Sequence, residues 1–321
     1  MVYFHFFGLL VIITFASAIL SYGSESLAKR YGANLVGSVF LGLISTLPEY
    51  MFVIWASIKG NYDVAIGSTI GACSLLITLG YGSVILVSTT ISKKPVKEIP
   101  LSHQTHIDII YLGATAIIAL FLIWEGKGLD LKDSIILITI FLIYVIQVTH
   151  HSLNHSLKYK AENKEKAGSI KKSFLFLIIG GIIIFFASEP FVDTIIELSH
   201  KLGISPITIA IIIGPIASEM PEKLTAYLTV MRNGALAEIS ICNFIGSKIN
   251  HNSLLIGTLG LIGFLKGNSE ITGILNIQFL MMTCLTLFTT ANLMSKRLTR
   301  GHGLIFTLLY FLVIFIAFKG R

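Results

Sequence analysis

The stretch STLPE at residues 45–49 lies within a long apolar run, and the stretch SEMPE at residues 218–222 lies within a second one. Each places a glutamate, Glu49 or Glu222, directly after a proline and inside a segment long enough to cross a bilayer. A carboxylate at mid-membrane costs roughly 2.5–3.5 kcal/mol on insertion scales unless it gains a partner. The two stretches therefore predict a membrane protein that holds acids inside its fold because its function requires them.

The composition around these stretches also indicates that lipid is the solvent. Of 321 residues, 54% are hydrophobic and 13% are charged, whereas a soluble domain carries about a quarter charged residues. The apolar runs approach the roughly 20 residues that cross a bilayer core as a helix. We therefore expect an all-α membrane protein with ten transmembrane helices. The predicted spans are 3–22, 33–58, 63–91, 105–125, 131–149, 172–199, 205–231, 235–264, 270–293 and 302–319.

The basic residues between the predicted spans are unevenly distributed. Odd-numbered loops hold 15 Lys and Arg, against 7 in the even-numbered loops and the C-terminal tail. By the positive-inside rule the odd-numbered loops are cytoplasmic, so both termini are expected outside the cell membrane. The net charge of +7 thus arises mainly from short loops, and no nucleic-acid partner is expected. We expect contacts with membrane lipid and small cations, and no obligatory protein partner.

Short sequence matches relate the two halves of the chain. Three pairs of motifs recur in the same order and at nearly constant spacing, which is the signature of an internal repeat. They are FAS at 15–17 and 186–188, PE at 48–49 and 221–222, and IG at 70–71 and 245–246. Because five predicted spans separate the copies, the second half would be inserted upside down, as in many secondary transporters. We predict inverted five-helix repeats over 1–149 and 172–321, joined by a cytoplasmic linker over 150–171.

Acids and prolines at matching positions predict a cation site. Two carboxylates close together in a low dielectric must share a cation or take up protons, and the inverted repeat would bring Glu49 and Glu222 face to face. Pro48 and Pro221 lack an N–H, so helices 2 and 7 are expected to be broken or kinked there, with carbonyl groups freed. Carboxylate, carbonyl and hydroxyl oxygens suit Ca²⁺. The predicted ligands are Glu49, Glu222, Glu219, the hydroxyls of Ser45 and Ser218, and the carbonyls of Ile44 and Ala217.

These motifs resemble the α-repeat signature of the cation/calcium antiporter superfamily, which includes sodium/calcium and proton/calcium exchangers. STLPE at 45–49 is similar to its Gly-Thr-Ser-Leu-Pro-Glu, and SEMPE at 218–222 is similar to its second copy. NFIGS at 243–247 and GSTIG at 67–71 resemble its Gly-Asn-x-x-Gly-Ser segment. The resemblance covers essentially the whole chain. It implies a ten-span antiporter in which the last glutamate of each signature binds the transported cation.

The chain departs from that family pattern at positions that bear on the coupling ion. Ala72 and Leu76 stand where sodium-coupled exchangers place polar side chains. Lys248 and His251 stand where they place Asn and Asp, and Glu219 replaces a hydroxyl residue. The site is therefore poorer in neutral oxygen ligands, and richer in titratable groups, than a three-sodium exchanger requires. This pattern favours proton coupling over sodium coupling.

Each titratable candidate also has a purely structural interpretation. Glu219 and Lys223 are i and i+4 on one helix and would form an ion pair. Lys248 would be a permanent counter-ion for a carboxylate, and His251 would be a hydrogen-bonded core histidine. The two prolines would only kink their helices. The residues with an expected role in coupling or in support of the site are Thr46, Asn243, Ser247, Lys248 and His251.

The sequence thus predicts a secondary active antiporter and not an enzyme. It would exchange Ca²⁺ or a related divalent cation for H⁺ by alternating access, with Na⁺/Ca²⁺ exchange as the alternative. No resident cofactor is expected, because the cation is cargo. A channel would need a continuous pore instead of a closed two-carboxylate site. An intramembrane hydrolase is disfavoured because the chain has no Gly-x-Ser-x-Gly, no His-Glu-x-x-His and no paired aspartates within its spans.

Overall fold

The computed structural model describes residues 2–31, 42–159, 170–295 and 297–319. Within these ranges it describes all side chains except those of residues 24–31, 42, 103–104, 151–159, 220–222 and 225. The described chain is mostly helical, because a backbone in lipid must satisfy its hydrogen bonds internally and a helix does so within one segment.

Fourteen α-helices lie in the described residues. They are α1 Val2–Tyr31, α2 Gly42–Ser45, α3 Leu47–Ile58, α4 Tyr62–Leu75, α5 Tyr81–Leu86, α6 His103–Gly126, α7 Leu131–Tyr159, α8 Ile170–Leu202, α9 Pro206–Ser218, α10 Met220–Arg232, α11 Ala237–Asn250, α12 Ile256–Leu265, α13 Ile277–Met294 and α14 Arg300–Lys319. Shorter helical turns of other types join some of them. These are the π-helical segments Leu76–Gly80, Val87–Ile91 and His251–Leu255, and the 3₁₀ turn Gly234–Leu236.

Seven helical segments of the described chain are long and apolar enough to cross a membrane. Their outward faces carry large apolar side chains, among them Phe4, Trp124 and Phe186, which are stable there only in lipid. This confirms the predicted helical membrane fold, whereas the division into ten spans stays a prediction. The seven segments are Val2–Gly23, Tyr62–Ile91, Thr105–Gly126, Leu131–His150, Ile170–Leu202, Ile277–Met294 and Arg300–Lys319.

Two short antiparallel strand pairs join loops that are distant in sequence. Strand β1, Glu98–Pro100, pairs with β4, Arg297–Thr299, and β2, Gly128–Asp130, pairs with β3, Glu270–Thr272. The central residue of each strand is buried, and three of the strands show the alternation of buried and more exposed residues that a strand produces. The prediction of an entirely helical chain is wrong at these four strands. The helix predicted from residue 270 begins instead at Ile277.

Both signature motifs lie where a helix is interrupted. Helix α2 ends at Ser45, Thr46 is not helical, and α3 restarts with Pro48 in its first turn. Helix α9 ends at Ser218, and α10 restarts after Glu219. Proline removes a hydrogen bond to the preceding turn, yet it fits the first turn of a new helix. The predicted breaks beside the two prolines are confirmed.

The polar segment between the halves is partly helical. Helix α7 continues to Tyr159 and α8 begins at Ile170, so the backbone is helical over much of the segment predicted as a linker at 150–171. Residues 160–169 lie outside the described chain. The early part of the second predicted span, 33–41, also lies outside it.

Helices α4 and α9 approach each other closely at two glycines. An added Cβ would lie 2.5 Å from the Ile207 carbonyl oxygen at Gly67, and 2.3 Å from the Ile211 carbonyl oxygen at Gly71. Small residues at such spacing let helix backbones meet inside a membrane. Gly67 and Gly71 therefore serve close packing, which brings α4 against the helix that ends at the second break.

We expect Gly71→Ala to lower the free energy of unfolding by about 1–3 kcal/mol, the usual cost of overpacking. The new methyl group would collide with the Ile211 carbonyl oxygen. Gly8→Ala is the matched control, because no described atom lies within 4 Å of a Cβ at Gly8. Unfolding of the purified protein in detergent measures both. Equal stabilities for the two variants would contradict the close packing of α4 and α9.

Candidate functional site

The second helix break places a buried ion pair at the centre of the fold. Glu219, at the junction of α9 and α10, is 1% exposed, and Lys223, one turn later, is 0% exposed. Lys223 Nζ lies 2.6 Å from Glu219 Oε2. The i, i+4 spacing brings the two side chains together on one helix face. The ion pair expected as the structural interpretation of these residues is confirmed.

The ammonium group of Lys223 also contacts an aromatic ring. Its Nζ lies 5.5 Å from the centroid of Phe244, on α11, and Phe244 packs edge to face against Tyr81. The negative face of an aromatic ring attracts a desolvated cation. Lys223 is therefore fixed between one carboxylate and one ring, in a region closed to water.

A second acid and an imidazole complete the cluster around Glu219. Ligand atoms of Glu49, Glu219 and His251 all lie within 4.8 Å of one another. Glu49 comes from the first turn of α3, and His251 opens the π-helical segment between α11 and α12. His251 Nε2 is 3.8 Å from Glu219 Oε1. The two helix breaks and the π-helical segment therefore meet at one buried cluster.

Asn250 ties the first helix break to α11. Its Nδ2 donates a hydrogen bond to Thr46 Oγ1 at 2.7 Å, and its Oδ1 accepts one from the Tyr50 hydroxyl. Thr46 is the residue at which the helix is interrupted. The polar side chain at the break is thus satisfied by a side chain from the other half of the chain, as a buried polar group requires.

Lys248 makes contacts other than those expected of it. Its Nζ donates to Asn252 Oδ1 at 2.6 Å and lies against the Cys73 thiol. Asn252 in turn donates to Thr115 Oγ1 at 3.4 Å. The expectation that Lys248 serves as counter-ion of a carboxylate is not met by its contacts in the described chain. Lys223 has that role instead.

His251 likewise differs from the structural expectation. Its side chain is 0% exposed, yet neither ring nitrogen has a hydrogen-bond partner among the described atoms. A core histidine is normally held by at least one hydrogen bond. The hydrogen bond expected of a core histidine is therefore not among the described contacts of His251, and the Glu219 carboxylate lies within ion-pair distance of its ring.

The remaining predicted residues lie beside the two breaks or on α11. Ser45, Thr46, Ser218 and Ser247 are buried beside the breaks or on α11, and Asn243 is half-buried on α11. Ser218 Oγ donates to the Gly214 carbonyl at 3.1 Å, and Ser247 Oγ has no hydrogen-bond partner among the described atoms. The backbone positions whose carbonyls were expected to bind cation, Ile44 and Ala217, precede the breaks; their role as ligands stays a prediction.

Glu222 is helical in α10, but its side chain lies outside the described residues. The predicted meeting of Glu49 with Glu222 therefore stays a prediction. The acid that the described structure brings to Glu49 is Glu219. Both acids of the described cluster are thus among the ligands that the sequence predicts.

Three contributors to the site were missed by the sequence interpretation. Asn250, Asn252 and Tyr50 hold the break and Lys248 in place through the contacts given above. The asparagines gave a usable signal, since two amides within a few residues in an apolar span must find partners in the fold. Tyr50 gave none, because a tyrosine in a membrane helix is common without a buried role.

The site has the composition of an ion carrier's centre. Two carboxylates, two ammonium groups and an imidazole lie at or beside interrupted helices, each at most 1% exposed. Buried ionisable groups are costly in a membrane and mark paths of ions or protons, and interrupted helices are the usual frame of such sites in secondary transporters. The fold and site thus define a polytopic membrane protein of the carrier class.

Comparison with known proteins identifies the family. The sequence pattern of the family described as sodium/calcium exchanger protein matches residues 1–149 and 172–319. The chain belongs to this family, within the cation/calcium antiporter superfamily, and it is an integral membrane protein. An uncharacterized membrane protein of Methanocaldococcus jannaschii is 24% identical over 309 residues, which cover 95% of this chain and 94% of that protein.

Solved structures show the same fold. The H⁺/Ca²⁺ exchanger CAX superposes with a TM-score of 0.81 at 22% identity, over 99% of this chain and 85% of that one. The sodium–calcium exchanger NCX_Mj superposes with a TM-score of 0.68 at 22% identity, over 98% of this chain and 99% of that one. One of these proteins is proton-coupled by name and the other sodium-coupled, so the likeness establishes the fold and leaves the coupling ion open.

We expect Lys223→Met to destabilise the protein by about 3–5 kcal/mol, because it leaves the Glu219 carboxylate buried without its cation. A double variant that also carries Glu219→Gln should regain most of this loss. Lys59→Met is the matched control, since Lys59 pairs with Glu189 and Asp193 at the protein surface. Unfolding in detergent measures all three. A loss for Lys223→Met no larger than that for Lys59→Met would contradict the buried pair.

Proposed function

We propose that the protein is a secondary active antiporter that exchanges Ca²⁺, or a related divalent cation, for H⁺ by alternating access. The observation that carries the proposal is the buried cluster of Glu49, Glu219 and His251, built at two helix breaks. Acids in a low dielectric must hold a cation or protons. A site of such acids exchanges the metal cation for protons, so that its carboxylates are always neutralised by one of the two.

Matching features in the two halves support an inverted repeat around this site. The helix break at Thr46 corresponds to the break at Glu219, and the π-helical segment that begins at Leu76 corresponds to the one that begins at His251. The two pairs have the same spacing along the chain as the PE and IG motifs. The strand pairs fit as well. Strand β1 of the first half corresponds to β3 of the second, and β2 corresponds to β4, so the β1–β4 pair and the β3–β2 pair are equivalent. Such repeats place the substrate at their interface.

The charges of the site favour protons as the coupling ion. Lys223 and Lys248 introduce two ammonium groups into the centre, where sodium ions would need neutral oxygen ligands. Ala72 and Leu76 line the buried part of the helix Tyr62–Ile91 without any such oxygen in their side chains. Sodium coupling, as in NCX_Mj, is the alternative, and proton coupling, as in CAX, is the one that these residues support.

The proposal includes an orientation and a set of partners. The positive-inside rule places both termini outside the cell membrane. Lipid surrounds the exposed apolar faces, and small cations are the only other partners required. Neither an enzyme activity nor an obligatory protein partner is needed for exchange of this kind.

Reconstituted vesicles test the proposal directly. Purified full-length protein is incorporated into vesicles, and Ca²⁺ uptake is followed first under a pH gradient and then under a sodium gradient. We expect saturable uptake driven by the pH gradient and little response to sodium. Uptake that ignores the pH gradient and responds steeply to sodium would replace proton coupling by sodium coupling. Flux that does not saturate and couples to neither gradient would indicate a channel.

Glu49→Gln should abolish this uptake while the protein remains folded, because the amide cannot neutralise a divalent cation or exchange a proton. The same result is expected for Glu222→Gln. Glu197→Gln is the matched control, since Glu197 is exposed and pairs with Lys201 at the end of α8. Uptake by each purified variant, normalised to folded protein, is the measurement. Normal uptake by Glu49→Gln would show that the cation binds elsewhere.

A further inference from the structure

We infer that the cargo of this site is a first-row transition-metal dication, bound by His251 directly together with Glu49 and Glu219. The inference rests on the proposed function and specifies the substrate class of the same site. It depends on three observations: the state of the His251 nitrogens, the spacing of the three side chains, and the chemistry of the donor set.

His251 has a buried imidazole whose ring nitrogens have no hydrogen-bond partner among the described atoms. Burying a polar group without a partner costs about 1–3 kcal/mol, so a fold keeps such a group only where something else uses it. The ring is directed at the cluster, with Nε2 3.8 Å from Glu219 Oε1. A metal ion between them would satisfy the nitrogen and the carboxylate at once.

The spacing of the three side chains suits a first-row ion after a small contraction. Their ligand atoms lie within 4.8 Å of one another. Bonds from such ions to nitrogen and oxygen are roughly 2.0–2.2 Å long, so three ligands spread evenly around the ion are about 3.6 Å apart, and only an opposite pair reaches about 4.2 Å. Shifts of at most about 0.7 Å for each ligand atom would bring all three into contact with one ion and leave further coordination positions open.

Glu219 retains an oxygen for the metal although it is paired with Lys223. The ammonium group contacts Oε2 at 2.6 Å, whereas Oε1 has no hydrogen-bond partner among the described atoms. Oε1 is also the carboxylate atom within 3.8 Å of His251 Nε2. The ion pair thus fixes the carboxylate with its second oxygen directed toward the imidazole, which is the orientation that shared coordination requires.

The donor set distinguishes between classes of dication. Ca²⁺ takes six to eight oxygen ligands and gains nothing from an imidazole. Imidazole nitrogen suits first-row transition metals, and carboxylate oxygen also suits Mn²⁺. Two carboxylates with one imidazole therefore favour an ion such as Mn²⁺ over Ca²⁺.

Mn²⁺ is the probe for the test, because its electron spin reports directly bound nitrogen. Full-length protein in detergent is loaded with Mn²⁺, and pulsed electron paramagnetic resonance records coupling to ¹⁴N. We expect the coupling in wild type and in His302→Asn, a matched change in the first turn of α14, and its loss in His251→Asn. Wild-type protein that binds Mn²⁺ without nitrogen coupling would overturn the assignment of His251.

Transport in vesicles tests the substrate class. We expect wild type to take up Mn²⁺ in preference to Ca²⁺, and His251→Asn to lower that preference by at least about tenfold, the low end for changes around a metal, while it still moves Ca²⁺. Equal or better uptake of Ca²⁺ by wild type would overturn the inference and leave the antiport proposal standing. If neither ion moves under any gradient, antiport is wrong, and the spectroscopic result still decides whether His251 binds metal.

Discussion

The buried ion pair between Glu219 and Lys223 is the interaction on which the centre of this protein depends. Each charge alone would cost several kcal/mol to remove from water, and their close contact offsets that cost only because the geometry is good. Glu219 also lies at the helix break itself, since it ends α9 with its backbone while its carboxylate contacts Lys223 in α10. The site and the break are therefore one feature of the structure.

Contacts beside the two helix breaks connect the two halves of the chain. Gly67 and Gly71 of α4 let that helix lie against α9, the helix that ends directly before Glu219. On the other side, Asn250 of α11 holds the break at Thr46 through its amide. Helix α4, which follows the first break, thus packs against α9 at the second break. Helix α11, which follows the second break, holds the first break at Thr46. A carrier that moves one half against the other would have to change these contacts, because they join the two halves beside the site.

The sequence was sufficient for the parts of this arrangement that depend on local chemistry. Prolines beside acids in apolar runs predicted both breaks, and i, i+4 spacing predicted the pair of Glu219 with Lys223. It was insufficient where distant residues meet. The strands β1 and β4 come from opposite halves of the chain, and their pairing follows from helix packing that no local pattern encodes. The counter-ion interpretation of Lys248 is not met by its described contacts, since its partner Asn252 lies one turn away and the Cys73 thiol beside it comes from a distant helix.

The described charges bear on the proposed exchange of a metal ion for protons. Counted at their formal charges, Glu49 and Glu219 are offset by Lys223 and Lys248, so the cluster is close to neutral when His251 is uncharged. A divalent cation that joins it leaves two excess positive charges in a low dielectric, which is strongly unfavourable. Under the proposed proton coupling, protons would therefore leave as the metal binds, from an ammonium group or from a further acid such as Glu222. Under that proposed coupling, the neutral arrangement would be the proton-loaded carrier, which could close without metal on the return step.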